Sequence, residues 1–410
     1  VTEEWLGLID SDDKPEQIRF ATIPNVLPSE KNRGSDMPSF VAATQTRMEE
    51  PFERLLNRLD GEPPHAIISD AFLIWTIRVG NRRNIPVALL WPMPASVFSI
   101  FHHFDLLVEK GYKPGKISES GETRVDFFPG IPSIRLRDLP SILQMKDQSL
   151  AESVLKILRQ VSDASYLLLS SIDAIESRVI GELSREFGFP VAAIGTTIPF
   201  LDLPRATARF TPDQDDDDDY VNWLISQPPS SVLYVAFGSF LPVSSPQMDA
   251  IADGLRRSGV RFLWAARGEA ARLRERCGGE RGRIVPWCEQ LKVLSQPSVG
   301  GFWSHCGWNS TMEAILCGVP VIAMPLIMDQ LTVRKHVVED WRIGVDAMRG
   351  VAPGEMLRSG QVEELVKEFM DLESPERKEM ELRAAELRAA TVEEFSDGGS
   401  SRRNLRHFVE

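Results

Sequence analysis

Residues Trp287 to Gln330 read WCEQLKVLSQPSVGGFWSHCGWNSTMEAILCGVPVIAMPLIMDQ, and this run restricts the possible fold more than any other stretch of the chain. Val299 to Ser304 is a short apolar segment bounded by Pro297 and by glycines, which predicts a buried strand. Ser310-Thr311-Met312-Glu313 has the S-x-x-E form of a capping box, so a helix is expected to open there. Gly318 and Pro320 end that helix, and Val321 to Met324 resumes as a strand. The loop from His305 to Asn309 then falls at the carboxyl end of a strand, where open α/β sheets bind ligands. A helix start beside it offers unpaired N–H groups and a partial positive charge, which suits an anion. Such a contact is worth roughly 0.3–1 kcal/mol when exposed and up to ~2 when partly buried. His305, Asn309 and Ser310 can add donors.

The same alternation runs through the rest of the chain. Phe40 to Leu59 is helical by period, His65 to Ser69 is a strand ending at Asp70, and Phe72 to Val79 begins the next helix. Ile85 to Leu90, Leu167 to Leu169 and Val191 to Ile194 read as further strands, and this rhythm predicts a parallel doubly wound sheet. Pro, Thr and acidic residues gather between Leu203 and Tyr220, and the Asp215 to Asp219 run reads as a solvated linker. An Asp-x-Asp metal motif is the competing reading of that run, and no strand precedes it to fix such a geometry. A second alternating half starts at Ser231. Leu233 to Phe237 is a strand closing on Gly238-Ser239, a helix follows from Pro246, and a strand spans Arg261 to Ala265. Gln361 to Met370 and Glu379 to Ala390 are late helices. The expected architecture is α/β, with two doubly wound, Rossmann-like domains facing across a cleft.

Composition narrows the partners. The 410 residues carry a formal net charge of −13, and phosphate-backbone binding needs a basic footprint, so nucleic acid is not expected as a partner. Any anionic ligand must be held by local dipoles and histidine. The four cysteines, Cys277, Cys288, Cys306 and Cys317, lack the density of a disulfide scaffold, which points to a reducing, cytoplasmic setting. No apolar run approaches the roughly 18 residues of a membrane span. The His305-Cys306 neighbour pair has no second half at ligand spacing, so no metal is expected there.

The Trp287–Gln330 segment resembles, without a gap, the donor-binding signature box of plant family-1 UDP-glycosyltransferases. Two positions depart from the usual pattern: Glu289 stands where proline is common and Gln296 where histidine is common. The resemblance implies a GT-B fold and a UDP-sugar cosubstrate, with no metal or other cofactor. It implies that Trp287 stacks on uracil, with the Cys288 backbone at the uracil edge and Gln290 by the nucleoside. Glu313 would accept the ribose hydroxyls, while His305, Asn309, Ser310 and Ser239 bind the diphosphate and Trp308 lies beside the sugar. Asp329 and Gln330 would hold sugar hydroxyls, a terminal Gln going more often with glucose than with galactose. Simpler readings stand beside these: a core residue for Trp287, a helix cap for Glu313, a turn residue for Ser239.

Asp70, in IISDAF, resembles the family's aspartate that orients the general-base histidine, fixing its tautomer and steadying the imidazolium. A helix N-cap is the alternative for Asp70. That histidine sits in an early Gly-His loop in the family, and none of His65, His102, His103, His305, His336 and His407 has such a context. The first β-loop-α unit, commonly about 30 residues or more with its following strand, is therefore expected to be missing ahead of Val1. A threonine common after the next strand is also replaced, the sequence running Trp91-Pro92-Met93 with Ser96 close by.

The expected organisation is an acceptor-binding domain over 1–204, an acidic linker over 205–222, a donor-binding domain over 223–395, and a segment over 396–410 returning to the first domain. The acceptor pocket is expected from variable loops such as Trp91 to His103 and Gly111 to Arg124. The expected reaction is inverting transfer of glucose from UDP-glucose to a hydroxyl or carboxyl of a small lipophilic plant metabolite, by a monomer. With the base absent, the 410-residue chain is expected to be weak or inactive. A non-catalytic UDP-sugar-binding pseudo-enzyme is the alternative. A nicotinamide oxidoreductase on a similar sheet would need G-x-G-x-x-G after a strand and an acid about twenty residues on, and the chain has no such arrangement.

Overall fold

The computed structural model describes residues 18–24, 37–196, 219–238, 243–352 and 354–410. The helical period near the start is realised as two helices, α1 (Met37–Thr46) and α2 (Glu49–Leu56). Pro51 explains the break: it lacks the N–H that would bond the Arg47 carbonyl, so the ladder starts again. β1 (Ile67–Asp70) pairs with β2 (Val87–Trp91), and α3 (Trp75–Arg83) connects them. β2 pairs with β5 (Tyr166–Leu169), and β5 with β6 (Val191–Ala193), giving a parallel sheet in the order β1-β2-β5-β6. A separate antiparallel pair, β3 (Arg124–Val125) and β4 (Ile134–Arg135), lies between β2 and β5 in the chain.

The expectation that Trp91 to His103 forms a variable loop is not met. β2 ends at Trp91, and α4 (Ala95–His102) follows with every residue from Ala95 to Phe101 buried. The helix is buried around its whole circumference, Ser96 and Ser99 included, which is the pattern of a core helix rather than a surface loop. The helix α5 (Asp173–Glu186) packs alongside it.

The second sheet has six parallel strands in the order β12-β11-β10-β7-β8-β9. These are β7 (Val232–Ala236), β8 (Arg261–Ala265), β9 (Gly282–Val285), β10 (Val299–Ser304), β11 (Val321–Ala323) and β12 (Gly344–Asp346). The chain winds outward from β7 to β9, returns to β10 beside β7, and winds outward again to β12. Winding therefore reverses between β7 and β10, and their carboxyl ends open a crevice. All six residues of β10 and all five of β7 are buried, as expected for central parallel strands covered on both faces. Phe237 stands edge-on to Trp264 and Trp303, at centroid distances of 6.2 and 6.0 Å, and anchors one covered face.

The last residues of the expected 205–222 linker are helical. α6 (Asp219–Ile225) starts there, and Tyr220 and Val221 are buried in the second core. Residues 197–218, with Asp215 to Asp218, and residues 239–242, with Ser239, lie outside the described residues. α7 (Ser245–Ser258) begins where Pro246 places it, with Ser244 as its cap. α8 (Trp308–Cys317), α9 (Gln330–Lys335), α10 (Ser359–Phe369), α11 (Pro375–Glu394) and α12 (Ser400–Val409) complete the second half.

The return to the first sheet begins before residue 396: Glu394 at the end of α11 accepts from the Ala174 N–H at 3.0 Å. α12 then lies against β6, where Asn404 Nδ2 donates to the Ala193 carbonyl at 2.8 Å. A second seam joins the halves at the cleft. Asp138 is fully buried and pairs with Arg334, which also pairs with Asp346. Thr332 Oγ1 donates to the Asp138 carbonyl at 2.7 Å, and the Ser141 N–H to the Met328 carbonyl at 2.9 Å. Among the described residues no helix is long and apolar enough to cross a membrane.

Candidate functional site

The loop after β10 turns within three residues. Cys306 takes a left-handed backbone (φ 63°) and is fully buried, which bends the chain so that Gly307 caps α8. The expected capping box is not formed: α8 starts at Trp308, two residues before Ser310, and no side chain caps it. Ser310 therefore lies inside the first turn, and Glu313 points to a different partner. Gln290 Nε2 donates to Ser310 Oγ at 2.8 Å and also to Glu313 Oε2. Gln290 Oε1 accepts from the Tyr234 hydroxyl at 3.3 Å, and that hydroxyl is also 3.3 Å from Cys288 Sγ. One hydrogen-bonded run thus links β7, the segment after β9 and α8. Trp287 sits at its edge with 63% of its surface exposed, which is unusual for an indole without a ligand-facing role. Tyr234 was not singled out from sequence, because an aromatic in a buried strand carries no signal that its hydroxyl has partners.

His305 lies at the reversal between β7 and β10. Its ring is wedged between Gly238 and Gly307, where an added Cβ would stand 2.7 and 2.5 Å from Nε2. Only glycine fits at either position, and Gly238 also has φ +76°. Burial lowers the His305 pKa to about 4, with the Ala236 backbone opposing. The ring is neutral at pH 7, so it offers a hydrogen bond and not the charge that a diphosphate partner would suggest. Its Nδ1 is buried and finds no hydrogen-bond partner among the described residues. Asp329 Oδ2 is in the same condition, and burial raises the Asp329 pKa to about 7. Unpaired buried polar atoms call for a reason, and a polar ligand in the crevice supplies one. Met328, just before, has φ 62°, a strained backbone of the kind found at ligand sites.

The remaining expected residues have these partners in the fold. Trp308 is buried and donates its indole N–H to the Ser170 carbonyl at 2.6 Å, so it ties the two halves together. Gln330 Oε1 accepts from Leu326 N–H at 2.8 Å and Ile327 N–H at 3.0 Å, which commits that oxygen to shaping its own loop. Asn309 is exposed on the first turn of α8. Ser96 is buried and sits 2.8 Å from His336 Nε2, while His336 Nδ1 is 2.6 Å from Asp340, so Ser96 is bound into the interdomain seam. Asp70 is exposed at the end of β1, and Oδ1 accepts from the Phe72 N–H at 2.8 Å. That contact is a local turn rather than a helix cap, since α3 starts only at Trp75. The protein around the carboxyl raises its pKa, and the Phe72 hydrogen bond opposes this.

Glu176 escaped the sequence reading. Its buried carboxylate accepts from Ala95 N–H at 2.7 Å, Ser96 N–H at 2.9 Å and Ser171 Oγ at 2.6 Å, closing the amino end of α4. The available signal was an acid inside an otherwise apolar helix face.

A family model described as "UDP-glucoronosyl and UDP-glucosyl transferase" matches residues 211–383. The chain is 44% identical over 409 residues to UDP-glycosyltransferase 87A2 of Arabidopsis thaliana, covering 100% of this chain and 88% of that protein. Its fold superposes on Os79 from O. sativa, solved in complex with U2F and trichothecene, with a TM-score of 0.83 and 26% identity over 99% of this chain and 91% of that one. Phytolacca americana UGT2, complexed with UDP-2fluoro-glucose and pterostilbene, matches with a TM-score of 0.78 and 25% identity, over 97% and 86% of the two chains.

Proposed function

The chain belongs to the plant family-1 UDP-glycosyltransferases, with their GT-B fold, and from that premise we propose inverting transfer of glucose from UDP-glucose to a hydroxyl or carboxyl of a small lipophilic plant metabolite. The observation that carries this reading is the hydrogen-bonded run from Tyr234 through Gln290 to Ser310 and Glu313, together with the exposed Trp287 next in sequence to Cys288. In this reading uracil stacks on Trp287 beside the Cys288 backbone, and the ribose hydroxyls displace Gln290 from Glu313. The departing diphosphate lies over the first turn of α8, where backbone N–H groups, Asn309, Ser310 and neutral His305 meet its growing charge. Ser239 is assigned to the same diphosphate. The Asp329 carboxylate takes sugar hydroxyls, and Gln330 does so through its amide nitrogen. No metal has a role here. Residues 1–204 are assigned to the acceptor and 223–395 to the donor.

The attacking hydroxyl needs a base. Asp70 is assigned to orient an imidazole, and among the described residues its carboxylate meets the Phe72 N–H and no histidine. A general base contributes about 10²–10⁴ in rate. Without such a base, transfer is expected to be slower by that factor. The alternative reading is a UDP-sugar-binding pseudo-enzyme. Both are separated by assaying UDP-glucose with a panel of phenolic, terpenoid and hormone acceptors, alongside calorimetry with UDP. The panel is run on the 410-residue protein and on one extended by a family Gly-His unit. Robust turnover by the short form refutes the weak-activity reading; UDP binding without turnover in both forms favours the pseudo-enzyme. We also propose that the protein is a monomer and that it lies in the cytoplasm, a compartment its free cysteines suit; light scattering and fractionation check the two.

A further inference from the structure

We propose that His102, His103 and Glu186 form a binding site for one divalent cation of the zinc class, remote from the nucleotide crevice. His102 Nε2 stands 3.0 Å from Glu186 Oε1, and His103 Nε2 stands 2.8 Å from Glu186 Oε2. One ligand atom from each residue can be chosen so that all three lie within 4.8 Å of one another. His103 Nδ1 is 2.8 Å from the Ser99 carbonyl. A carbonyl only accepts, so Nδ1 carries the proton. In a neutral ring, Nε2 then presents a lone pair toward an anionic oxygen. Two such acceptors do not approach to 2.8 Å without a proton or a cation to join them. One proton shared between His103 and Glu186, with His102 as its neutral Nε2–H tautomer, is the competing arrangement on these two rings, which stand 5.0 Å apart and share one carboxylate. A single divalent ion satisfies all three groups at once.

The donor set fits the cation. Two imidazole nitrogens and one carboxylate, with a position left for water, are the ligands of many three-residue zinc sites. The Ser99 carbonyl supplies the outer hydrogen bond that fixes the ring tautomer of a metal-bound histidine. His102 is oriented by packing, stacked on Phe98 at 5.8 Å and against Phe187 at 4.8 Å. Glu186 is 41% exposed along its side chain, which leaves an entry path from solvent. His102 and Glu186 are the last residues of α4 and α5, and helix carboxyl ends favour cations. The same two helices are tied at their other ends by Glu176. The ion would therefore clip the second end of this pair and stabilise the first domain.

The full chain, stripped by chelator, is titrated with Zn²⁺ by calorimetry and with Co²⁺ as an optical probe. One equivalent is expected, with a nitrogen–oxygen ligand spectrum lacking a thiolate band, and Zn²⁺ should raise the melting temperature by linkage. Glu186→Gln and His102→Asn, each checked for fold by circular dichroism, should weaken binding by about tenfold or more and abolish the thermal shift. Binding that is absent, that persists in both variants, or that shows cysteine ligation overturns the proposal and leaves a carboxylate bridged to protonated imidazole.

Discussion

Trp287 keeps its indole in solvent while its neighbour Cys288 is buried, and this asymmetry separates binding from folding at one residue. Stacking of a base on an aromatic is worth about 1–3 kcal/mol. Trp287→Ala is therefore expected to raise the Kd for UDP by roughly 5- to 150-fold, measured by calorimetry, while changing stability by less than ~0.5 kcal/mol. Asp329 couples the two instead. Its folded pKa of about 7 lies above the ordinary carboxyl value, so the unfolded chain ionises first. The penalty is absent below about pH 4, grows as pH rises toward 7, and is constant above that. Asp329→Asn should remove this slope and raise ligand-free stability at pH 7.5 by roughly 2–4 kcal/mol. In an active form the same change should lower kcat/KM for UDP-glucose by about tenfold or more. Denaturant melts across pH and donor kinetics check the two halves of this prediction. His305 has the opposite sense, since its lowered pKa costs stability as pH falls from about 6.5 toward 4.

At the scale of elements, the two ends of a helix did not read equally well. The stop of α8 was legible because Gly318 takes a left-handed conformation (φ 69°) that suits glycine. The start was misread because S-x-x-E is a local pattern, and Gln290, from another segment, competes for both Ser310 and Glu313. α4 shows the same limit: its buried amino end is capped by Glu176, about eighty residues away, and no local signal announces that partner. Glu176→Ala strands two helix N–H groups and a hydroxyl in the core. A loss of about 3 kcal/mol in urea unfolding is expected, with Glu176→Gln losing roughly half as much.

For the whole molecule, the decisive contacts cross the cleft. Asp138 and Arg334 come from different halves, and burial opposes the charge on both. Removing Asp138 leaves the buried Arg334 with Asp346 as its remaining ion-pair partner, so Asp138→Ala should cost about 1–3 kcal/mol in thermal unfolding. Because Thr332 and Met328 bond the same segment, the loop holding Asp329 should loosen as well, and UDP-glucose should bind less tightly. Ser96, His336 and Trp308 belong to this seam too, so Trp308, expected beside the sugar, also joins the halves.

Period and punctuation in the sequence were enough for the parallel sheets, the strand from Val299 to Ser304 and the crevice at its end, because these depend on short-range pattern and on which faces must be buried. The family box was equally plain, since its residues are adjacent in the chain. Only the tertiary structure decided the protonation of His305 and Asp329, the partners of Glu313 and Trp308, and the cap on α4. Each depends on how much water and which distant atoms surround a group, and neither is encoded in its neighbours along the chain.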